Sequence, residues 1–252
     1  MEKYAWLIWS LGFLSFWGVV YFTRPSTRKQ MLRMSLFTAP LGLTEPLFVP
    51  AYWNPPTLFG LAQRTGFDIE SLIFCFSIGG IATVLYEMVV PAQHVPMHED
   101  EKHDSRHRFH LLALASPIIV FVPLMLTTSW NAIYPGILAM IIGTMASLWC
   151  RPDLKGKIWV GGGVFLVLYF LFFQLLDLAF PGYVEKYWTL DALSGIITLG
   201  IPIEEYLFAF TFGLMWSSLY EHISWQKITP SPPKAHSPDR KTHDSQGGTY
   251  VE

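Results

Sequence analysis

The sequence predicts an all-α, polytopic membrane protein with seven transmembrane helices in a parallel 3+1+3 internal repeat. Three observations carry that prediction. Hydrophobic residues make up 52% of the 252-residue chain and charged residues 14%, against about 25% charged in a typical globular protein. Seven runs reach the roughly 20 mostly apolar residues that a bilayer-crossing helix needs. A 21-residue stretch also recurs without a gap. Mean hydropathy is +0.35. A net charge of -2 with no basic domain argues against a nucleic-acid partner. Two cysteines, Cys75 and Cys150, are too few for a disulfide scaffold.

The seven runs cover approximately 4–22, 31–50, 67–90, 110–127, 132–149, 157–180 and 200–222. The first lacks the basic start and small-residue cleavage site of a signal peptide. Pro40 and Pro46 lie in the second, Pro117 and Pro123 in the fourth, and Pro135 in the fifth. Spanning helices accept proline where neighbours re-satisfy the freed carbonyls. The sixth opens on Gly161-Gly162-Gly163, which suits close helix packing. No strand precedes those glycines, so they are not a dinucleotide fingerprint.

Eleven Lys and Arg residues fall on one side of these runs and three, Lys3, Arg64 and Lys186, on the other. The positive-inside rule then puts the N-terminus outside and the C-terminus in the cytoplasm of an integral protein of the cytoplasmic membrane. The expected divisions are 1–90, a first three-helix unit; 91–131, a His-rich cytoplasmic loop and linker helix; 132–226, a second three-helix unit; and 227–252, a polar tail whose composition predicts disorder.

The repeat lays 67–87 over 201–221, with eight identical pairs in 21 positions. Among them are Glu70/Glu204, Gly79/Gly213, Tyr86/Tyr220 and Glu87/Glu221. Upstream, Arg24-Pro25 corresponds to Arg151-Pro152, Glu45 to Asp177, and Tyr52-Trp53 to Tyr187-Trp188. An odd linker helix between two three-helix units makes the units parallel, and such repeats commonly place a site at their interface.

Seven acidic residues fall within the runs: Glu45, Glu70, Glu87, Asp177, Glu204, Glu205 and Glu221, with no Lys or Arg deep in any run. Glu87 and Glu221 read as interfacial anchors beside Tyr86 and Tyr220. The other five are expected to surround one cavity in the outer half of the membrane. A carboxylate at the bilayer centre costs on the order of 3 kcal/mol on insertion scales and usually marks function. The plain alternative is that they are protonated hydrogen-bonders between helices. Pro202 is expected in the first turn of the last helix, so that the helix dipole favours ionised Glu204 and Glu205.

A buried acid, a nearby carboxylate base and many aromatic faces suit carbocation chemistry, in which the acid protonates an alkene and the base removes a proton. Aromatic faces stabilise the cation between those steps. The candidates for that role are Phe48, Trp53, Phe74, Trp188, Tyr206 and Phe208, each of which otherwise reads as a lipid-facing or belt residue. Such a cyclisation is redox-neutral, and neither a metal nor a cofactor is expected.

The stretch Gly200-Ile-Pro-Ile-Glu-Glu-Tyr-Leu-Phe208 resembles the P-x-E-E-x-x-F motif of the small integral-membrane lycopene cyclases, the heterodimeric bacterial type and its fused archaeal and fungal forms. Glu45-Pro-Leu-Phe-Val-Pro-Ala-Tyr-Trp-Asn-Pro-Pro56 looks like that family's segment after its second helix. The resemblance implies β-cyclisation of a ψ-end group of lycopene, an intramolecular lyase or isomerase reaction on a polyene held in the bilayer, with Glu204 and Glu205 as the acidic pair. The first repeat departs from the motif, reading Asp68-Ile69-Glu70-Ser71. Carotenoid hydratases and meroterpenoid cyclases share the protonate-an-alkene logic and remain alternatives.

Two other classes compete. Of the five histidines from His94 to His110, His94/His98 and His103/His107 are H-x3-H pairs, a spacing that suggests a di-iron enzyme. A proton-coupled transporter also explains intramembrane carboxylates.

Overall fold

A computed structural model describes residues 2–230 and is all-α, with 78% of it helical. Each apolar run contains one helix: α1 (Ala5–Thr23), α2 (Arg28–Thr38), α3 (Ile69–Val89), α4 (His110–Thr127), α5 (Ile133–Cys150), α6 (Lys155–Ala179) and α7 (Ile203–Ser224). Among the described residues, five helical stretches are long and apolar enough to cross a membrane: Glu2–Thr23, Ile69–Val89, Ser105–Thr127, Ile133–Cys150 and Pro152–Ala179. The remaining two runs differ for separate reasons. In the second, α2 gives way to a 3-10 helix over Ala39–Leu47 that contains Pro40 and Pro46, where the missing N–H groups interrupt α-helical bonding. The last, α7, carries three carboxylates, Glu204, Glu205 and Glu221, in 22 residues.

Helices α3 and α7 form the centre. Helix α3 packs against α1, α2, α6 and α7, and α7 packs against α5 and α6 as well. Small residues permit the close approaches. A Cβ on Gly79 would lie 2.3 Å from Thr38 Cβ, and one on Gly213 would lie 2.7 Å from Phe165 Cβ and 3.0 Å from Gly162 Cα. Helix α4 packs on α5 at the periphery; only 11% of its span is buried.

The starts of α3 and α7 use different caps at equivalent positions. Asp68 is extended and accepts the Ser71 N–H at 2.5 Å. Pro202 holds the corresponding N-cap position of α7, one residue ahead of the first turn in which the sequence placed it. The Asp-for-Pro difference between the repeats is therefore a change of cap.

Corresponding residues meet at both ends of the core. At one end Trp53 pairs antiparallel with Trp188. The Asn54 N–H donates to Tyr187 O at 2.8 Å, and the Thr189 N–H donates to Tyr52 O at 2.9 Å, a local two-fold arrangement about the tryptophan pair. At the other end Lys157 Nζ donates to Glu87 Oε1 at 2.6 Å and Glu221 Oε1 at 2.7 Å. Gln30 Nε2, which corresponds to Lys157 when the Arg-Pro pairs are aligned, donates to the same Glu221 oxygen at 3.1 Å. Glu221 and Lys157 are buried. The sequence placed the two glutamates at a wet boundary and no cation deep in a span; the helix ends instead enclose a lysine between them.

A short ribbon covers this end. Strand β1 (Ala92–Pro96) pairs antiparallel with β2 (Gln226–Pro230), His94 opposite Ile228. The stretch read from the sequence as tail thus opens with a strand; its remainder, 231–252, lies outside the described residues. Lys227 of β2 donates to Glu101, and that bond holds the Glu101 carboxyl below its ordinary range.

Candidate active site

The central cavity, about 410 Å³, lies between α1, the 3-10 continuation of α2, α3, α4, α5, α6 and α7. Its walls are almost wholly apolar and aromatic, with Trp6, Trp9, Phe74, Phe208, Phe212 and Trp216 among them. Two carboxyl groups line it, Glu45 and Glu205.

Glu205 stands in the first turn of α7 and is buried. Its Oε1 accepts from Tyr52 Oη at 2.5 Å and from Trp188 Nε1 at 2.8 Å, and its Oε2 accepts from Tyr169 Oη at 2.9 Å. Three neutral donors and the N-terminal end of a helix thus surround the carboxylate, with no Lys or Arg among its partners in the described residues. A carboxylate has about four lone-pair sites, so the three bonds leave it room for one more polar or cationic partner. Burial, and after it the adjacent Glu205, hold the Tyr52 phenol well above its ordinary value, so it remains a donor.

Glu45 comes from the proline-broken 3-10 helix, and its Oε1 is buried without a hydrogen-bond partner among the described residues. The 3-10 geometry turns this side chain inward where a continued α-helix would set a different face. Gly42, one turn earlier, allows the approach: a Cβ there would lie 2.8 Å from the Ser71 carbonyl oxygen of α3.

The other candidate carboxyl groups stand outside the cavity lining. Glu204 Oε1 accepts from Tyr134 Oη at 2.7 Å and from the Ser194 N–H at 2.8 Å. Its repeat counterpart Glu70 accepts the Leu58 N–H at 2.7 Å. Both therefore pin a loop to the start of a central helix. Asp177 is half-buried near the far end of α6, its Oδ2 3.9 Å from where a Cβ on Gly200 would sit. Of the candidate aromatics, Phe48, Trp53, Phe74, Trp188 and Phe208 line the cavity. Tyr206 points away, donating to Thr198 O at 2.9 Å. Tyr52, noted in the sequence only as part of the repeat, and Tyr169 were not among the candidate site residues; a lone hydroxyl in the apolar run of α6 was the available signal for Tyr169.

The cavity opens sideways. Phe37 and Ile118 line it and are also 55% and 67% exposed on the outer surface of the helix bundle. The opening lies between α2 with its 3-10 continuation and the peripheral α4.

The histidines between 94 and 110 do not converge on one centre. His94 Nε2 lies 2.6 Å from Glu221, His98 caps the short helix Glu99–Lys102, and His103 and His107 meet backbone carbonyls of that helix.

No curated protein and no solved structure matches the chain. The family model described as lycopene cyclase matches residues 131–223, a little over a third of the chain. The matched segment holds α5, α6, the Trp188 segment and all but the last residue of α7, with Glu204 and Glu205 in its first turn. Residues 131–223 are thus similar to the lycopene cyclase family, and this similarity supports a carotenoid cyclase role.

Proposed function

We propose that this protein is a lycopene β-cyclase of the cytoplasmic membrane that closes a polyene end group by proton transfer alone. The observation that carries the reading is Glu205, a buried carboxylate held by three neutral donors in an aromatic cavity that opens toward the lipid. Glu45 is the proton donor, because its unpartnered oxygen leaves an O–H free to point at an alkene. The proton adds to the terminal double bond, the next double bond closes on the resulting cation, and Glu205 accepts the proton lost from the new ring. No electron or atom is gained or lost overall, which makes this an isomerising cyclisation. Trp6, Phe74, Phe208 and Trp188 present ring faces to the cation. Glu204 and Glu70 serve as positioning residues, and Asp177 acts from the periphery.

The cavity volume suits an end group, while the rest of a long polyene extends through the opening beside Ile118 into the hydrocarbon. A seven-span topology in two parallel three-helix units, with the N-terminus outside, fits the paired tryptophans and the shared lysine at opposite ends of the core.

Expression in lycopene-accumulating cells with pigment analysis tests the reading. Conversion of lycopene to γ- or β-carotene is expected. Unchanged lycopene would reject this substrate, and appearance of a hydroxylated acyclic product would favour a hydratase.

A further inference from the structure

A second cluster lies at the opposite end of α7 from Glu205, 17 residues or about 25 Å along the helix. His110 opens α4, Cys150 ends α5, and His222 lies in the last turn of α7. All three are buried. Each offers one ligand atom, and these atoms lie within 4.8 Å of one another. Cys150 Sγ is 3.8 Å from His110 Nδ1, close to the roughly 3.6 Å edge that tetrahedral zinc with ordinary Zn–S and Zn–N bonds sets between a sulfur and a nitrogen. The two imidazoles meet edge to face, their centroids 4.5 Å apart. His222 Nε2 is buried without a hydrogen-bond partner among the described residues, a costly state for a polar atom. Neighbouring groups orient the ligands: His110 stacks on Trp225 at 3.9 Å, and Ser147 Oγ lies 3.4 Å from His222 Nδ1. The adjacent Arg151 is already engaged by Asp153 through two bonds of 2.9 and 2.7 Å.

We propose that His110, Cys150 and His222 form a zinc site that ties the ends of α4, α5 and α7 together. One thiolate and two imidazoles are borderline-soft ligands that suit zinc. The fourth position falls to water. The tie has a mechanical purpose, since α4 is the peripheral helix and forms one wall of the cavity's opening. The other grouping of this kind, Glu87, His94 and Glu221, already holds the Lys157 ammonium and needs no metal.

The test is zinc content of the full chain, purified without a histidine tag, loaded with zinc and then washed with a weak chelator. About one zinc per chain is expected, falling at least fivefold in Cys150→Ser and in His222→Gln. The exposed-loop variants His98→Ala and His103→Ala are expected to keep it. Cobalt loading of the parent chain adds a readout that does not depend on variants folding: a thiolate-to-metal charge-transfer band is expected. Absence of stoichiometric zinc in the parent, absence of the cobalt band, or loss of zinc with His98→Ala in place of His222→Gln would overturn the site. None of these readouts depends on cyclase activity.

Discussion

Tyr52 and Glu205 lie 153 positions apart in sequence, yet the phenol donates to the carboxylate at 2.5 Å. The bond joins the loop after the second apolar run to the first turn of the last helix, so it links the two halves of the chain at the candidate site. A hydrogen bond to a charged group contributes about 1.5–3 kcal/mol, or roughly a 10- to 150-fold effect. Tyr52→Phe should therefore slow cyclisation by about that factor, while Tyr169→Phe, which removes the bond to the other carboxylate oxygen, should act similarly. Turnover of lycopene in reconstituted vesicles measures both. A Tyr52→Phe protein at full rate would remove this bond from the mechanism.

Glu204 and Glu205 look alike in sequence, but Glu205 lines the cavity while Glu204 bonds Tyr134 and Ser194 outside its lining. Glu205→Gln should reduce turnover by on the order of 10²- to 10⁴-fold, the usual worth of a general base, with folded protein retained. Glu204→Gln keeps an oxygen for Tyr134 and Ser194 and should retain more than about a tenth of the rate, because one acceptor replaces another. Glu204→Ala should instead lower thermal stability. Equal loss in the two Gln variants, at equal protein yield, would return Glu204 to the chemistry.

Much of this architecture was legible from hydropathy, because every apolar run contains a helix. The placement of the individual carboxyl groups was not. Alignment of the repeats pairs Glu70 with Glu204, and both indeed hold a loop N–H, but nothing in a one-dimensional pattern says that neighbouring Glu205 turns into the cavity and Glu204 away from it. Glu45 was found as a charge in an apolar run, yet its inward aim depends on the 3-10 turn over Ala39–Leu47. Lys157 was misplaced because a cation beside a helix start reads as a loop charge. Its burial arises only when Glu87 and Glu221 arrive from two other helices.

Glycines equivalent in the repeats should be equally intolerant of a methyl group. At Gly79 a Cβ would fall 2.1 Å from Thr38 Oγ1, and that hydroxyl also accepts the Trp216 N–H at 2.7 Å. Gly79→Ala should destabilise the protein by about 1–3 kcal/mol through overpacking, and Gly213→Ala by a similar amount. Gly163 directly follows Gly162 of the α6–α7 contact, yet a Cβ there would meet nothing within 4 Å among the described residues. There alanine should stabilise by up to about 1 kcal/mol through helix propensity. Thermal unfolding in detergent, followed by circular dichroism, ranks the three.

Lys157 is the charge on which the opposite end of the core depends. It is buried, and its ammonium bonds both Glu87 and Glu221 at 2.6 and 2.7 Å. Removing one member of a buried ionic group leaves the others unpaired at a cost of about 3–5 kcal/mol. Lys157→Met should therefore reduce the yield of folded protein sharply. The triple variant Lys157→Met, Glu87→Gln, Glu221→Gln removes the stranded charges and should recover most of that loss, since an apolar or neutral replacement of a buried ionic group is often close to neutral in stability. Gln30 and His94, which also reach Glu221, can bond a glutamine there as well. Thermal unfolding of the single and triple variants decides the matter: a triple variant no more stable than Lys157→Met would mean that the lysine acts by filling space between the helices and not by compensating the two glutamates.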